Sequence, residues 1–482
     1  MEDSLRQGPA PEGPFDVAVV GAGAVGCAIA REVTRYGASC ALVEAGPDVG
    51  AGTSKANTAI LHTGFDAKPG TIESGLVRRG YELLGAYASE VGIPTDRTGA
   101  LMVAWNREQR DALDGIESTA RENGYGDARP VELDELYLRE PNLGPGAQGP
   151  LEIPGEGIVC PFTTILALAT EALAGGCELI LNAPVGGVRR GEGFHQLDTA
   201  RGPIRARCLV NAAGLRSDEI DAMLGHSDFR VRPRRGELIV FDKLARGLIN
   251  HVLLPVPTEK TKGVLVSPTV YGNVLLGPTA DDIDDKTDRA TTAAGLASLM
   301  EAGARIIPRL SEQEVTATYV GLRAATQHRD YQLRIDPDRR YVCAGGIRST
   351  GITASLAIAE WVREGLASAG LELSREAAPT RLRMPNIGEF GSRPHQDADL
   401  IGRDPDYGRI VCFCERVTRG EIRDALRSPI PPVDPDGLRR RTRALMGRCQ
   451  GFFCGAEIAL ALKERDAQPP PDAKLRSGVD AG

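Results

Sequence analysis

Four cysteines stand close together near the end of the chain, as Cys412-x-Cys414 and then, after thirty-four intervening residues, Cys449-x4-Cys454. Four thiolates are enough to hold one [2Fe-2S] cluster, and they equally suit a tetrahedral Zn²⁺ ion; the spacing serves both. A second set of reactive types lies upstream. His62 sits in a loop of small polar residues, and an ordinary histidine pKa of about 6.5 suits it to take the proton of a substrate hydroxyl. Arg323 in YVGLRAAT and Arg348 in GGIRST offer planar forks that grip a carboxylate or a phosphate with two hydrogen bonds. Lys260 and Lys262 in PTEKTKG are either a second anion clamp or part of a surface loop, and His251 and His328 are weaker candidates for the base.

These groups need a scaffold, and the stretch Phe15 to Glu44 supplies its signature. An apolar strand (Asp16 to Val20) runs into Gly21-x-Gly23-x-x-Gly26, a helical segment follows from Ala24 to Tyr36, Gly37 stops it, and a second apolar strand (Cys40 to Val43) ends on Glu44. Glu44 falls eighteen residues after Gly26, the place of the acid that ends the second strand of a dinucleotide-binding βαβ unit. Gly21 permits the tight turn, Gly23 lets backbone approach a pyrophosphate, and Gly26 lets helix pack close on strand. The helix N-terminus then offers its unpaired N–H groups to the phosphates. Glu44 would accept from a ribose 2′-hydroxyl, which disfavours a 2′-phosphorylated cofactor. By itself this unit fits NAD and FAD alike.

Downstream, the loop to Gly70 carries Thr53, Ser54, Asn57, Thr58 and His62, and an amphipathic helix is expected from Thr71 to Glu90. Residues 95–150 read as an insertion away from the nucleotide, with a strand at Ala100 to Trp105 and a helix at Glu108 to Asn123. A buried strand (Cys208 to Asn211) runs into the turn Ala212-Ala213-Gly214 and a helix begun near Ser217. From Val231 to about Thr326 strands dominate, interrupted by one helix (Ala293 to Ile306); this reads as a separate antiparallel sheet roofing the cofactor. YVCAGGIRSTGITAS repeats strand, glycine-rich turn and helix, so turns at Gly21, Gly214 and Gly346 are expected to converge on one extended ligand. Together with the long His62 loop they favour a tightly enclosed FAD.

The 482-residue chain has 57 glycines and 5% aromatics, as expected for an α/β protein of two or three domains with many tight turns. Net charge −8 and the shortness of the one basic run, LRRRTR at Leu438 to Arg443, give no reason to expect nucleic acid. No apolar run reaches the roughly 18 residues of a transmembrane helix, and the polar start MEDSLRQGPAPEGP is expected to be neither signal nor anchor. Cytoplasmic placement is expected, with peripheral attachment to the inner membrane through partners left open. Cys27, Cys40, Cys160, Cys177, Cys208 and Cys343 are expected to be buried free thiols. The arginines near the cysteine cluster, Arg416, Arg439, Arg441, Arg443 and Arg448, either offset its charge or form a solvated basic face.

The N-terminal fingerprint, the SKANTAILHTGFDAKPGT loop, VNAAG and GGIRSTGITAS resemble the FAD-dependent amino-acid-oxidase superfamily over about Phe15 to Gly370. Within it they are most similar to glycerol-3-phosphate dehydrogenase catalytic subunits and L-2-hydroxyglutarate dehydrogenases. VCFCERVTRGEI and RTRALMGRCQGFFC resemble the bacterioferritin-associated-ferredoxin-like [2Fe-2S] domain fused to some of these dehydrogenases, which favours iron–sulfur over zinc. The resemblance implies an α/β fold with a Rossmann-like FAD-binding domain, an antiparallel-sheet substrate domain and a small C-terminal iron–sulfur domain. The FAD-dependent region is expected at 15–383, with FAD-binding parts at about 15–94, 151–230 and 336–370 and cap parts at about 95–150 and 231–335. A linker at 384–408, the cluster domain at 409–465 and a disordered tail at 466–482 complete the layout. The expected cofactor set is Gly21, Gly23, Gly26, Glu44, Ser54, Asn57, Thr58, Val185, Gly214, Gly346, Gly351 and Thr353. His62 is implied beside the flavin, and Arg323 matches the arginine of a GxRP-like segment, with Ala324 in place of proline.

A flavin takes a hydride and a cluster takes single electrons, so the fused pair implies a dehydrogenase that feeds another carrier rather than a plain oxidase. sn-Glycerol 3-phosphate is the first substrate expected, L-2-hydroxyglutarate or another 2-hydroxy acid the second, an amine or imino acid the third. A non-catalytic electron-transfer subunit is the alternative from another class. The acceptor is expected to be a quinone reached through partner subunits, a ferredoxin or another carrier.

Overall fold

The computed structural model describes residues 14–257, 263–374 and 382–466. Lys260, Lys262 and the expected tail beyond Asp466 lie outside these. The strand Pro14–Val20 is apolar and almost wholly buried, as a central parallel strand must be. It pairs in parallel with Cys40–Val43 on one side and with Gly202–Asn211 on the other. The latter is ten residues long, more than the expected Cys208 to Asn211. Its first half lies against His195–Thr199, and its last three residues lie against Tyr341–Gly345. These strands, with Val185–Arg190, Glu178–Ile180 and Gln332–Asp336, make an eight-stranded sheet.

The helix Ala24–Arg35 packs on this sheet between the helices Pro161–Ala174 and Gly351–Ser368. Gly26 is what allows the approach: a Cβ there would stand 1.7 Å from the Gly21 carbonyl oxygen. The helix Ile72–Val91, capped by the Thr71 hydroxyl, crosses Gly351–Ser368 at Gly80, where a Cβ would meet the Thr353 carbonyl oxygen at 2.3 Å.

A nine-stranded sheet faces the first. Arg234–Phe241 pairs along its length with Val315–Arg323 and also with Val274–Gly277. The expected antiparallel roof needs one correction: Val252–Pro255 pairs in parallel with Ala100–Ala104. Residues 95–150, expected as a cap part away from the nucleotide, join this sheet. Their strand completes the roof, and it carries Met102 to the cleft below.

The C-terminal module has its own small core, including Val411, Val417, Ile422, Leu438 and Ile458. It is built from a short hairpin and the helices Arg419–Leu426, Pro435–Thr442 and Gly455–Asp466. Ionic contacts fasten it to the rest. Asp48, 2% exposed, receives Arg440 and Arg441 from the Pro435–Thr442 helix, the Arg441 contact being 2.8 Å. Lys55 reaches Asp436 at 2.7 Å, and Arg448 reaches Asp242 at 2.6 Å. Arg443 lies 4.0 Å over the Tyr271 ring and 3.4 Å from Glu415, while Arg416 pairs with Glu389. Of the five arginines expected to serve the cluster or a solvated face, Arg416, Arg441, Arg443 and Arg448 bridge the module to the body, and Arg439 pairs with Asp436. The stretch expected as an irregular linker at 384–408 contains the helix Ala398–Arg403. It is pinned by Met384 N–H on the Val91 carbonyl and by Lys243 on Glu389 at 2.6 Å.

Removing one partner of a buried ion cluster leaves charge without compensation, at a cost of about 3–5 kcal/mol. Asp48→Asn is therefore expected to lower amide hydrogen-exchange protection across 435–442 while the first sheet keeps its own. Unchanged protection there would show that the clamp contributes nothing to docking.

Candidate functional site

Between the two sheets runs one continuous cleft of about 2250 Å³, counting its open mouth. Its floor is the end of the first sheet. Gly21 (φ +103°) makes the turn there, and a Cβ on it would strike the Ala212 carbonyl oxygen at 2.5 Å. Gly23 ends the turn, and the N–H of Ala24 in the first helical turn donates to Ser54 Oγ at 3.0 Å. Glu44 accepts from Ala22 N–H at 2.7 Å and from Gly46 N–H at 2.8 Å, which leaves lone pairs on both oxygens for a sugar hydroxyl. Gly214 and Gly351 complete this wall with Ile347 and Ser349.

The loop 53–58 is held by the roof. Tyr319 donates to the Asn57 carbonyl at 2.7 Å, Thr53 Oγ1 donates to the Leu322 carbonyl at 3.0 Å, and a Cβ on Gly321 would meet the Ala56 carbonyl oxygen at 2.2 Å. Asn57 turns inward on itself, donating to the Ser54 carbonyl and accepting from Ala59 N–H. Ser54, Asn57, Thr58 and His62 all line the cleft. Four expected cofactor residues do not. Gly26 serves packing, Thr353 Oγ1 accepts from His62 N–H at 3.1 Å, Gly346 (φ +62°) turns the chain against Gln332, and Val185 begins a strand paired with Thr199.

His62 has a neighbour that its sequence position does not announce. Glu156, fully buried, accepts from Thr63 N–H at 2.6 Å and Thr63 Oγ1 at 2.9 Å through Oε1. Its Oε2 accepts no hydrogen bond and stands 3.2 Å from His62 Nδ1. Pairing of Ile60–Leu61 with Gly157–Val159 brings the two together. The one local signal was an acid between two glycines, Gly155-Glu156-Gly157.

Arg323 ends its strand at the cleft wall. One guanidinium nitrogen donates to the Thr279 carbonyl at 2.6 Å, and among the described residues no carboxylate comes within ion-pair distance. Burial, with the positive neighbours Arg234 and Arg348, pushes its pKa down to about 10. Arg348 also faces the cleft but is engaged by the Arg329 carbonyl and lies 3.6 Å from Glu73. His251 is enclosed by Glu140 and Arg139, and His328 Nε2 donates to the Asp228 carbonyl; neither lines the cleft.

In the C-terminal module Cys412 meets Cys454 and Cys414 meets Cys449. The first pair is buried and the second partly exposed, while the six scattered cysteines are all buried free thiols as expected. Backbone N–H groups of Glu415 and Leu445 point at the Cys412 sulfur. Those of Phe453, Gly451 and Phe452 point at Cys449, Phe453 foremost, and hold its thiol below the usual range. Positive φ at Arg416, Leu445 and Gln450 shapes these turns. Among the described residues no three metal-ligating side chains close into a single shell. Two thiol pairs with backbone donors aimed at their sulfurs fit a [2Fe-2S] cluster, where each iron takes two thiolates. The cleft likewise fits FAD: a helix N-terminus, Gly21 with no room for a Cβ, and a free-edged carboxylate lie along one path.

The profile described as FAD dependent oxidoreductase matches residues 16–364, and that of the BFD-like [2Fe-2S] binding domain matches 410–464. The chain is 33% identical to a glycerol 3-phosphate dehydrogenase of Caloramator mitchellensis, over 92% of this chain and 93% of that one. It is 28% identical to an L-2-hydroxyglutarate dehydrogenase of Indibacter alkaliphilus, over 55% of this chain and 68% of the relative. Among solved structures it superposes on the dithionite-reduced L-alpha-glycerophosphate oxidase of Mycoplasma pneumoniae with FAD bound, at TM-score 0.72 and 28% identity, covering 78% of this chain and all of that one. The chain belongs to the FAD dependent oxidoreductase family and carries a BFD-like [2Fe-2S] binding domain at its C-terminal end.

Proposed function

We propose that this protein oxidises sn-glycerol 3-phosphate to dihydroxyacetone phosphate and delivers the electrons, through its [2Fe-2S] domain, to an external acceptor. The observation that carries the reading is Arg323: a recessed cation without a carboxylate partner among the described residues, in the same cleft as the His62–Glu156 pair. A buried cation left unpaired calls for an anion, and a planar guanidinium suits phosphate. The likeness to a glycerol 3-phosphate dehydrogenase along nearly the whole chain supports phosphate over a second carboxylate.

In this reading Arg323 holds the substrate phosphate, with Arg348 as a second positive neighbour. His62 takes the proton of the C2 hydroxyl, and Glu156, whose Oε2 stands 3.2 Å from Nδ1, favours the ring orientation that turns Nε2 to substrate. Bound FAD supplies the hydride acceptor for the carbinol carbon. Its pyrophosphate rests on the Gly21–Gly26 turn and the helix behind it, and its ribose on Glu44. Cys412, Cys414, Cys449 and Cys454 hold the cluster. No described helix is long and apolar enough to cross a membrane, so the acceptor is either a carrier met at the protein surface or a quinone reached through partner subunits at the inner membrane.

Anaerobic addition of sn-glycerol 3-phosphate to the holoenzyme is expected to bleach the flavin band, with L-2-hydroxyglutarate and glycine far slower. Bleaching by L-2-hydroxyglutarate and none by glycerol 3-phosphate would overturn the substrate. Arg323→Gln is expected to raise KM at least about 10-fold, the loss of one charge-assisted hydrogen-bonded grip. Glu156→Gln is expected to lower kcat by about 100-fold, since a misoriented base loses that much, while KM moves little. An unchanged kcat would remove Glu156 from the site.

A further inference from the structure

Among the described residues, three of the large apolar side chains most open to solvent cluster in the cysteine turns. Phe413, between Cys412 and Cys414, is 69% exposed; Phe452 and Phe453, between Cys449 and Cys454, are 84% and 70% exposed. Phe452 and Phe453 meet edge to face at 5.4 Å. Because Cys414 meets Cys449 and Cys412 meets Cys454, the two turns adjoin and their phenylalanines flank one spot. Leaving three phenyl rings in water is unfavourable, and nothing in the fold of the module requires it: its core is built from other residues.

The module that carries that spot is net positive. Residues 409–465 hold twelve Arg and Lys against seven Asp and Glu, net +5, inside a chain whose total is −8. Arg416 lies two residues after Cys414, and Arg448 directly precedes Cys449. Their carboxylate partners lie deeper than they do: Arg448 is 48% exposed over an Asp242 at 9%, and Arg416 is 45% exposed over a Glu389 at 23%. A partner therefore meets guanidinium around an apolar centre. That is the layout of a small, transient docking site, with an apolar middle for contact and a charged rim for steering.

We infer that Phe413, Phe452 and Phe453 form the docking face for an acidic protein that carries one electron at a time. This rests on the reading of the module as an electron outlet. Each substrate oxidised releases two electrons and two protons, so two oxidised carrier molecules dock in turn, each leaves with one electron, and the protons pass to solvent. A quinone in a membrane, or a second copy of this chain, would use the same patch differently.

The test uses the full-length holoenzyme driven by sn-glycerol 3-phosphate, with three acceptors: soluble cytochrome b5 as the acidic carrier, basic cytochrome c, and a small dye that reaches the flavin directly. Cytochrome b5 reduction is expected to fall several-fold as salt rises from 20 to 300 mM, about 21 and 6 Å of screening length, and cytochrome c reduction to rise or stay flat. Phe413→Ser/Phe452→Ser/Phe453→Ser is expected to cut cytochrome b5 reduction at least 10-fold, with dye reduction and the cluster absorption unchanged. Salt-independent reduction of cytochrome b5, its absence at low salt, or a triple variant equal to the parent overturns the inference. So does a triple variant that becomes monomeric from a parent dimer, or sole reduction of a short-chain quinone in vesicles. Loss of dye reduction in the parent enzyme, by contrast, would point to failure of the proposed reaction itself.

Discussion

Asp48 is a carboxylate with almost no contact with water, and two guanidiniums from nearly four hundred residues further along close on it. It lies four residues past Glu44, on the loop that follows the second strand of the dinucleotide sheet. The same interface takes in Lys55, which belongs to the loop lining the cleft, through Asp436. A buried carboxylate needs such partners, and the arginines need it in return. The consequence is mechanical. The cysteine module is held against the loops that shape the cofactor cleft, at a fixed place, by charges that neither side could bury alone.

A second dependence runs through the strand Val315–Arg323. Along one edge it pairs with Arg234–Phe241, and at its end it presses on the 53–58 loop so closely that Gly321 admits no Cβ. Tyr319 and Leu322 then take hydrogen bonds with that loop, and Arg323, the next residue, projects into the cleft. One strand thus sets both the loop that leads to His62 and the cation opposite. Two rigid neighbours fix the relation between Arg323 and the His62 loop better than separate loops could.

The elements that were legible in the sequence are those governed by local backbone demands. The glycines of 21–26, the acid at 44 and the helix over 293–306 follow from turn sterics and periodicity, and the structure has them where expected. What escaped depends on pairings distant in the chain. Glu156 gains meaning only when Gly157–Val159 lies beside Ile60–Leu61. Arg441 and Arg448 look like a basic face until Asp48 and Asp242 meet them. The parallel placement of Ala100–Ala104 joined to the roof has no signature in a five-residue apolar strand, since periodicity does not reveal a partner. Gly346 was expected at the ligand because its turn resembles the others; its flanking residues Ile347 and Arg348 reach the cleft instead.

The rigid clamp also bears on why a dehydrogenase of this kind carries its cluster on the same chain. A two-electron oxidation must be divided before single-electron carriers can accept it, and the division requires a second redox centre at a constant separation. A module on a free tether would meet the cleft only by diffusion. Here Cys412 and Cys454 are buried and Cys414 packs so closely on Gly447 that a Cβ there would stand 2.2 Å away. Glu415, the residue after Cys414, is gripped by Lys243 of the body at 3.1 Å and by Arg443. The turn that bears Cys414 is therefore anchored in the interface itself. One buried glutamate thus joins a cysteine turn of the module to the body.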